Sequence, residues 1–320
     1  MDNEKKAVLL ASVAVLCWAT VATAFKMAQD TLTSFGLTFV ASVTALVVFS
    51  VIMTVRRKWG LVARITVRNL EYFAVIGLVN PAAYYLILMR SYKLLPGQVA
   101  QPVNYMWPVV LLVLLAAFAK KPIKRKCYVG MVMSLAGVVI IAMGNSSAHS
   151  DAGYDFPQGI GFGFASAVLW ATYWMLSNVR KRRDTITFLF MGFLFGSFYL
   201  LLLWAFGMDI CLPGREEALN EGILWAVYVG LFEMALPFIT FGMALELTSN
   251  PTFVNQMCYA GPFLSLFFLS FIRGEEIKTV TYLGLVMIVG GIIYNRYFVK
   301  EEKQITASQQ NQDSRDENSN

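Results

Sequence analysis

Histidine, charge and paired cysteine are scarce in this sequence, and each scarcity removes a class of chemistry. His149, in a polar loop, is the single histidine, which leaves little for imidazole metal sites or acid–base catalysis. Cys17, Cys127, Cys211 and Cys258 are scattered with no C-x-x-C, so neither a disulfide framework nor a zinc site is legible. No nucleotide-binding Walker sequence is present, and "GIGFGF" at 159–164 follows no strand, which argues against a phosphate loop. No cofactor and no metal are expected. An intramembrane enzyme would need paired aspartates, a metal cluster or a nucleophile with its base inside the apolar runs, and those runs hold no His or Asp.

Charged residues make up 14% of the chain, against about 25% in a soluble domain. Hydrophobic residues reach 57% and the mean hydropathy is +0.58. The fold class expected is therefore an all-α integral membrane protein, with the lipid bilayer as its surroundings. The net charge of +6 sits in clusters between apolar runs, a pattern that marks a cytoplasmic membrane face rather than a nucleic-acid partner.

Apolar runs of about 17–23 residues, enough for roughly 30 Å of hydrocarbon, recur near 7–25, 36–55, 72–89, 98–119, 128–144, 159–178, 186–206, 223–245, 253–272 and 280–298. Ten transmembrane helices are predicted. Ala22-Thr23-Ala24 resembles a signal-peptide cleavage site, but the first run has a partner later in the chain and is kept as a helix. The tail from Lys300 is Gln-, Asn-, Ser- and acid-rich and reads as disordered. Arg56-Arg57-Lys58, "KKPIKRK" at 120–126 and "RKRR" at 180–183 fall on one side, which predicts both termini in the cytoplasm. One pair dissents: the third loop, with Arg90 and Lys93, is more basic than the eighth.

The second half repeats the first. "IKRKCYVGMVM" at 123–133 aligns with "IKTVTYLGLVM" at 277–287, an offset of 154 that also relates Gly137 to Gly291. Trp18-Ala19-Thr20 returns as Trp170-Ala171-Thr172, and Gly77 as Gly230. Five helices per half is an odd number, so the halves enter the membrane from opposite sides. The domains expected are a first repeat at 1–150, a second, inverted, at 151–299, and a cytoplasmic tail at 300–320. Inverted repeats are a signature of secondary transporters.

Polar stripes mark the fourth and ninth helices. Gln98, Gln101, Tyr105 and Pro108 share a face, and the same offset gives Thr252, Asn255, Tyr259 and Pro262. With Asn104 they are candidates to bind a small-molecule substrate across a cavity; helix-to-helix hydrogen bonding is the alternative reading. Pro81, Pro102, Pro108, Pro237 and Pro262 are candidate helix-bending positions. Glu233 lies mid-span with Asn80 as its counterpart; a charge there costs about 2.5–3.5 kcal/mol on insertion scales. It is either a coupling or substrate-binding carboxylate, with proton coupling in view, or a hydrogen-bonded structural acid. Trp18, Tyr84, Trp107, Trp170 and Tyr173 are candidate pocket walls. Lys26 is expected to snorkel to the outer surface. Gly130, Gly137 and Gly144, matched by Gly284 and Gly291, predict a close-packing face, within the subunit or in a homodimer.

These elements resemble the drug/metabolite transporter superfamily, EamA branch, over about residues 7–298. "VNYMWP" at 103–108 is similar to a motif of bacterial aromatic amino acid exporters in that group. The resemblance implies a central cavity between helices 1, 3, 4, 6, 8 and 9, alternating access, and efflux of amino-acid-like or other small metabolites. A non-transporting receptor or assembly subunit is the alternative. The chain departs from the family's usual two-fold pattern in lacking a Gly-Glu pair in the first half, where "KKPIK" stands opposite "RGEEIK", so Gly274-Glu275 alone can supply it.

Overall fold

The computed structural model describes residues 2–118, 125–146, 153–177, 184–249, 253–254 and 257–295. His149, the basic runs at 120–124 and 180–183, Thr252, Asn255 and the tail from Lys300 lie outside them. Among the described residues eight helices are long and apolar enough to cross a membrane. They are α1 (Asn3–Ala28), α2 (Ser34–Val55), α3 (Val67–Leu94), α4 (Gly97–Phe118), α5 (Cys127–Asn145), α6 (Phe156–Ser177), α7 (Thr185–Ala205) and α8 (Glu216–Leu247). Two shorter apolar helices follow, α9 (Cys258–Arg273) and α10 (Thr279–Asn295).

Local chemistry sets several of the ends. Thr33 caps α2 by accepting from the Gly36 N–H at 2.9 Å, and Asp184 caps α7 through the Thr187 N–H at 2.8 Å. α9 stops at Gly274, whose φ of 70° is a left-handed conformation that glycine adopts without steric cost.

Contacts between helices are exchanged by the repeat. α1 packs on α8 and α9; its counterpart α6 packs on α3 and α4. α2 meets the middle of α8, as α7 meets the middle of α3, and α2 and α7 pack on each other. Phe49 of α2 and Phe193 of α7 meet there with ring centroids 5.2 Å apart. In lipid, such contacts depend on close approach rather than on expulsion of water. α5 and α10 illustrate this: a Cβ on Gly137 would lie 2.5 Å from the Gly284 carbonyl oxygen, and one on Gly284 2.6 Å from that of Gly137. The Ser134 hydroxyl adds a bond to the Ile288 carbonyl at 3.1 Å. This glycine face is therefore closed within the subunit.

α3 and α8 each widen mid-length into a π-type turn, at Leu78–Ala83 and Gly230–Ala235. The first turn follows Gly77 and the second begins at its match Gly230, and they carry Asn80 and Glu233. Asn80 has extended backbone angles (φ −146°, ψ 121°) and precedes a cis peptide bond to Pro81. Proline has no N–H for the carbonyl four residues back. Pro237 thus leaves the Glu233 carbonyl open, and the Trp18 indole N–H donates to it at 3.4 Å. α4 is broken at Tyr105–Met106, between helical segments Gly97–Asn104 and Trp107–Phe118, where Pro108 cannot bond the Asn104 carbonyl. Pro262 stands at the start of the α-helical part of α9, after a 3-10 turn. Pro102 is accommodated inside the first segment of α4.

Lys26 departs from expectation. It is 9% exposed, and its ammonium donates to the carbonyl oxygens of Tyr92 and Leu95, each at 2.8 Å. The last carbonyls of a helix have no partners within it, so the C-terminus of α3 holds this cation instead of the lipid surface. The ring of Tyr154 covers it at 5.0 Å.

Candidate functional site

A cavity of about 180 Å³ lies between α1, α3, α4, α6, α8 and α9. The break in α4 presents Gln101, Asn104, Tyr105, Trp107 and Pro108 to it, and α9 contributes Cys258 and Tyr259. Trp18 enters from α1, Tyr84 from α3, Trp170 from α6 and Glu233 from α8. The wall between α3 and α6 is a stack: Tyr84 and Trp170 at 4.7 Å and 30°, then Trp170 and Tyr173 at 5.4 Å and 26°. Tyr173 is buried behind Trp170 and does not reach the cavity.

Polar groups at the cavity are individually placed. The Asn104 amide donates to Ser166 Oγ at 2.8 Å and accepts weakly from the Tyr84 hydroxyl at 3.4 Å. Gln101 is 6% exposed, and its Oε1 has no hydrogen-bond partner among the described residues. The Glu233 carboxylate accepts from the Tyr85 hydroxyl at 3.1 Å, Tyr85 itself being fully buried.

Besides Tyr173, two more of the expected site residues lie off the cavity. Gln98 is fully buried at the start of α4, where its amide donates to the Glu276 carbonyl at 2.8 Å and accepts from the Thr281 hydroxyl at 2.9 Å and the Lys278 N–H at 3.3 Å. It ties α4 to the α9–α10 connection. Asn80 is 2% exposed, off the cavity, with its amide unpartnered among the described residues. Glu275 serves the same junction as Gln98, accepting from the Gln98 backbone N–H at 3.0 Å, a carboxylate at a helix N-terminus.

The EamA-like transporter family matches residues 5–143 and, a second time, 157–297. The chain belongs to the EamA-like transporter family. Two EamA repeats thus run along a multi-pass membrane protein, in the drug/metabolite transporter superfamily, whose members are transporters. A solved crystal structure shares the fold at 20% identity with a TM-score of 0.64, covering 93% of this chain and 98% of its own. No curated protein matches the chain in sequence.

The six helices around the EamA cavity are those the resemblance implied. Phe25, Leu88, Tyr92, Trp174 and Phe241 also line it and were not singled out in sequence. For Trp174 a signal existed: it follows Trp170 by one helical turn, and its ring meets that of Trp170 at 6.4 Å and of Trp107 at 6.1 Å. Phe25, Leu88 and Phe241 carry none, since apolar residues are the background of every span.

Proposed function

We propose that the chain is a secondary transporter that exports amino-acid-like or other small metabolites by alternating access. In this reading ten spans form two inverted five-helix repeats, 1–150 and 151–299, with both termini and the tail at 300–320 in the cytoplasm of a bacterial inner membrane. The observation that carries it is the cavity itself, walled by helices of both repeats and holding polar groups at the break of α4. Polar atoms at membrane depth are tolerated where they line such a space. Gln101, Asn104, Tyr105, Asn255 and Tyr259 would hold the substrate, and Trp18, Tyr84, Trp107 and Trp170 would pack against its body. Glu233 is the ionisable group through which a proton gradient would act. The chain would work as a monomer or a homodimer. The test is efflux of a labelled metabolite mixture from proteoliposomes, with and without a pH gradient. Saturable loss that Tyr105→Ala abolishes supports the reading; loss no faster than from empty liposomes, with folded protein, contradicts it.

A further inference from the structure

The cavity combines one acid with many rings. Ten of the seventeen residues lining it are aromatic, and Glu233 is the only charged one; no Lys, Arg or His is among these described residues. Lys26 follows the lining residue Phe25, but its ammonium is already held by the carbonyl oxygens of Tyr92 and Leu95. The Glu233 carboxylate has the Tyr85 hydroxyl as its one hydrogen-bond donor among the described residues. A carboxylate at membrane depth calls for a counter-charge. Aromatic faces carry negative quadrupole potential and attract cations within about 6 Å of the ring centroid. Both features select against a negative ligand, whose charge would meet π-faces and an acid with no base to pair it.

We propose that the cavity takes an organic ammonium cation with a flat apolar body. The ammonium lies against the Glu233 carboxylate and donates to it, a charge-assisted bond. The body lies among the rings of Trp18, Tyr84 and Trp170. Trp18 and Trp170 both pack on Phe238, at 6.2 and 5.9 Å, so the two indoles belong to one aromatic cluster beside Glu233. This assignment rests on the transporter reading and narrows its substrate class from amino-acid-like molecules to amines.

Three probes share one indole body and differ in charge: tryptamine as cation, tryptophan as zwitterion, indole-3-propionate as anion. Calorimetric titration of the purified full chain in detergent is expected to give the tightest binding for tryptamine, at least tenfold weaker binding for tryptophan, and none for indole-3-propionate. Glu233→Gln is expected to weaken tryptamine at least tenfold, and Trp170→Leu to weaken tryptamine and tryptophan alike. Tryptophan or indole-3-propionate binding as tightly as tryptamine would overturn the proposal, as would absence of tryptamine binding or a folded Glu233→Gln protein that binds it unchanged. If Glu233→Gln does not fold, the charge series on the native chain still decides. Proteoliposomes separate the two readings. Flux of tryptophan without tryptamine binding overturns the cation while leaving a transporter; tryptamine binding without flux of any probe overturns the transporter alone.

Discussion

Gln98 separates a scaffold role from a substrate role, and replacing it by leucine tests which it has. The side chain keeps a similar volume but loses both ends of the amide. The Glu276 carbonyl, the Lys278 N–H and the Thr281 hydroxyl lose their partner. A buried polar group left unpaired costs about 1–3 kcal/mol. Glu276 is exposed, so water can take its carbonyl; Lys278 is half-buried and Thr281 is buried. Thr281 also keeps the bond it accepts from Asn145 at 3.1 Å. The net destabilisation is therefore about 2–4 kcal/mol, most of it from two orphaned groups. Thermal unfolding in detergent should show a melting point lowered by several degrees. Binding of the tryptamine probe to the folded variant should stay within twofold of the native chain, because Gln98 does not reach the cavity. An unchanged melting point with tenfold weaker binding would refute this reasoning and return Gln98 to the substrate.

Gly284→Val at the α5–α10 crossing should destabilise by about 1–3 kcal/mol, the usual cost of overpacking, since its Cβ would meet the Gly137 carbonyl oxygen at 2.6 Å; thermal unfolding reads it, and Ala in place of Val should cost less. At the start of α7, burial alone would raise the Asp184 carboxyl, but bonds from Lys58 and Thr187 outweigh it and hold it below the ordinary range. A lowered folded value stabilises above that range and is lost as pH falls through it. Asp184→Asn should therefore be less stable than the native chain at pH 7, with the gap closing below about pH 4; a gap that stays constant with pH would contradict this. Asp30 pairs with Arg273 at the surface, the two side chains 52% and 33% exposed, so Asp30→Asn should shift stability by less than about 1 kcal/mol.

The repeat, the polar stripe of α4 and the lone acid of α8 were legible because each stands out from apolar text. Spacing placed Gln98 with Gln101 and Tyr105 on one helical face, yet the structure divides them. The partners of Gln98 come from residues 276–281, more than 170 positions away, and no periodicity within α4 reveals them. Lys26 was misjudged for the same reason. Whether a terminal lysine snorkels or caps depends on which carbonyls lie near it, and those belong to α3. The aromatic wall was half legible: Trp18 and Trp170 are repeat partners, whereas Phe25 and Phe241 differ from other span residues only by where they pack.

Alternating access to the cavity is the central claim, and Cys258, which lines the cavity, gives the direct measurement. In a variant with Cys17, Cys127 and Cys211 replaced by serine, a membrane-impermeant maleimide is applied to sealed inside-out and right-side-out vesicles. Modification of Cys258 is expected from both sides, each slowed by saturating tryptamine. Modification from one side only, with and without tryptamine, would contradict it.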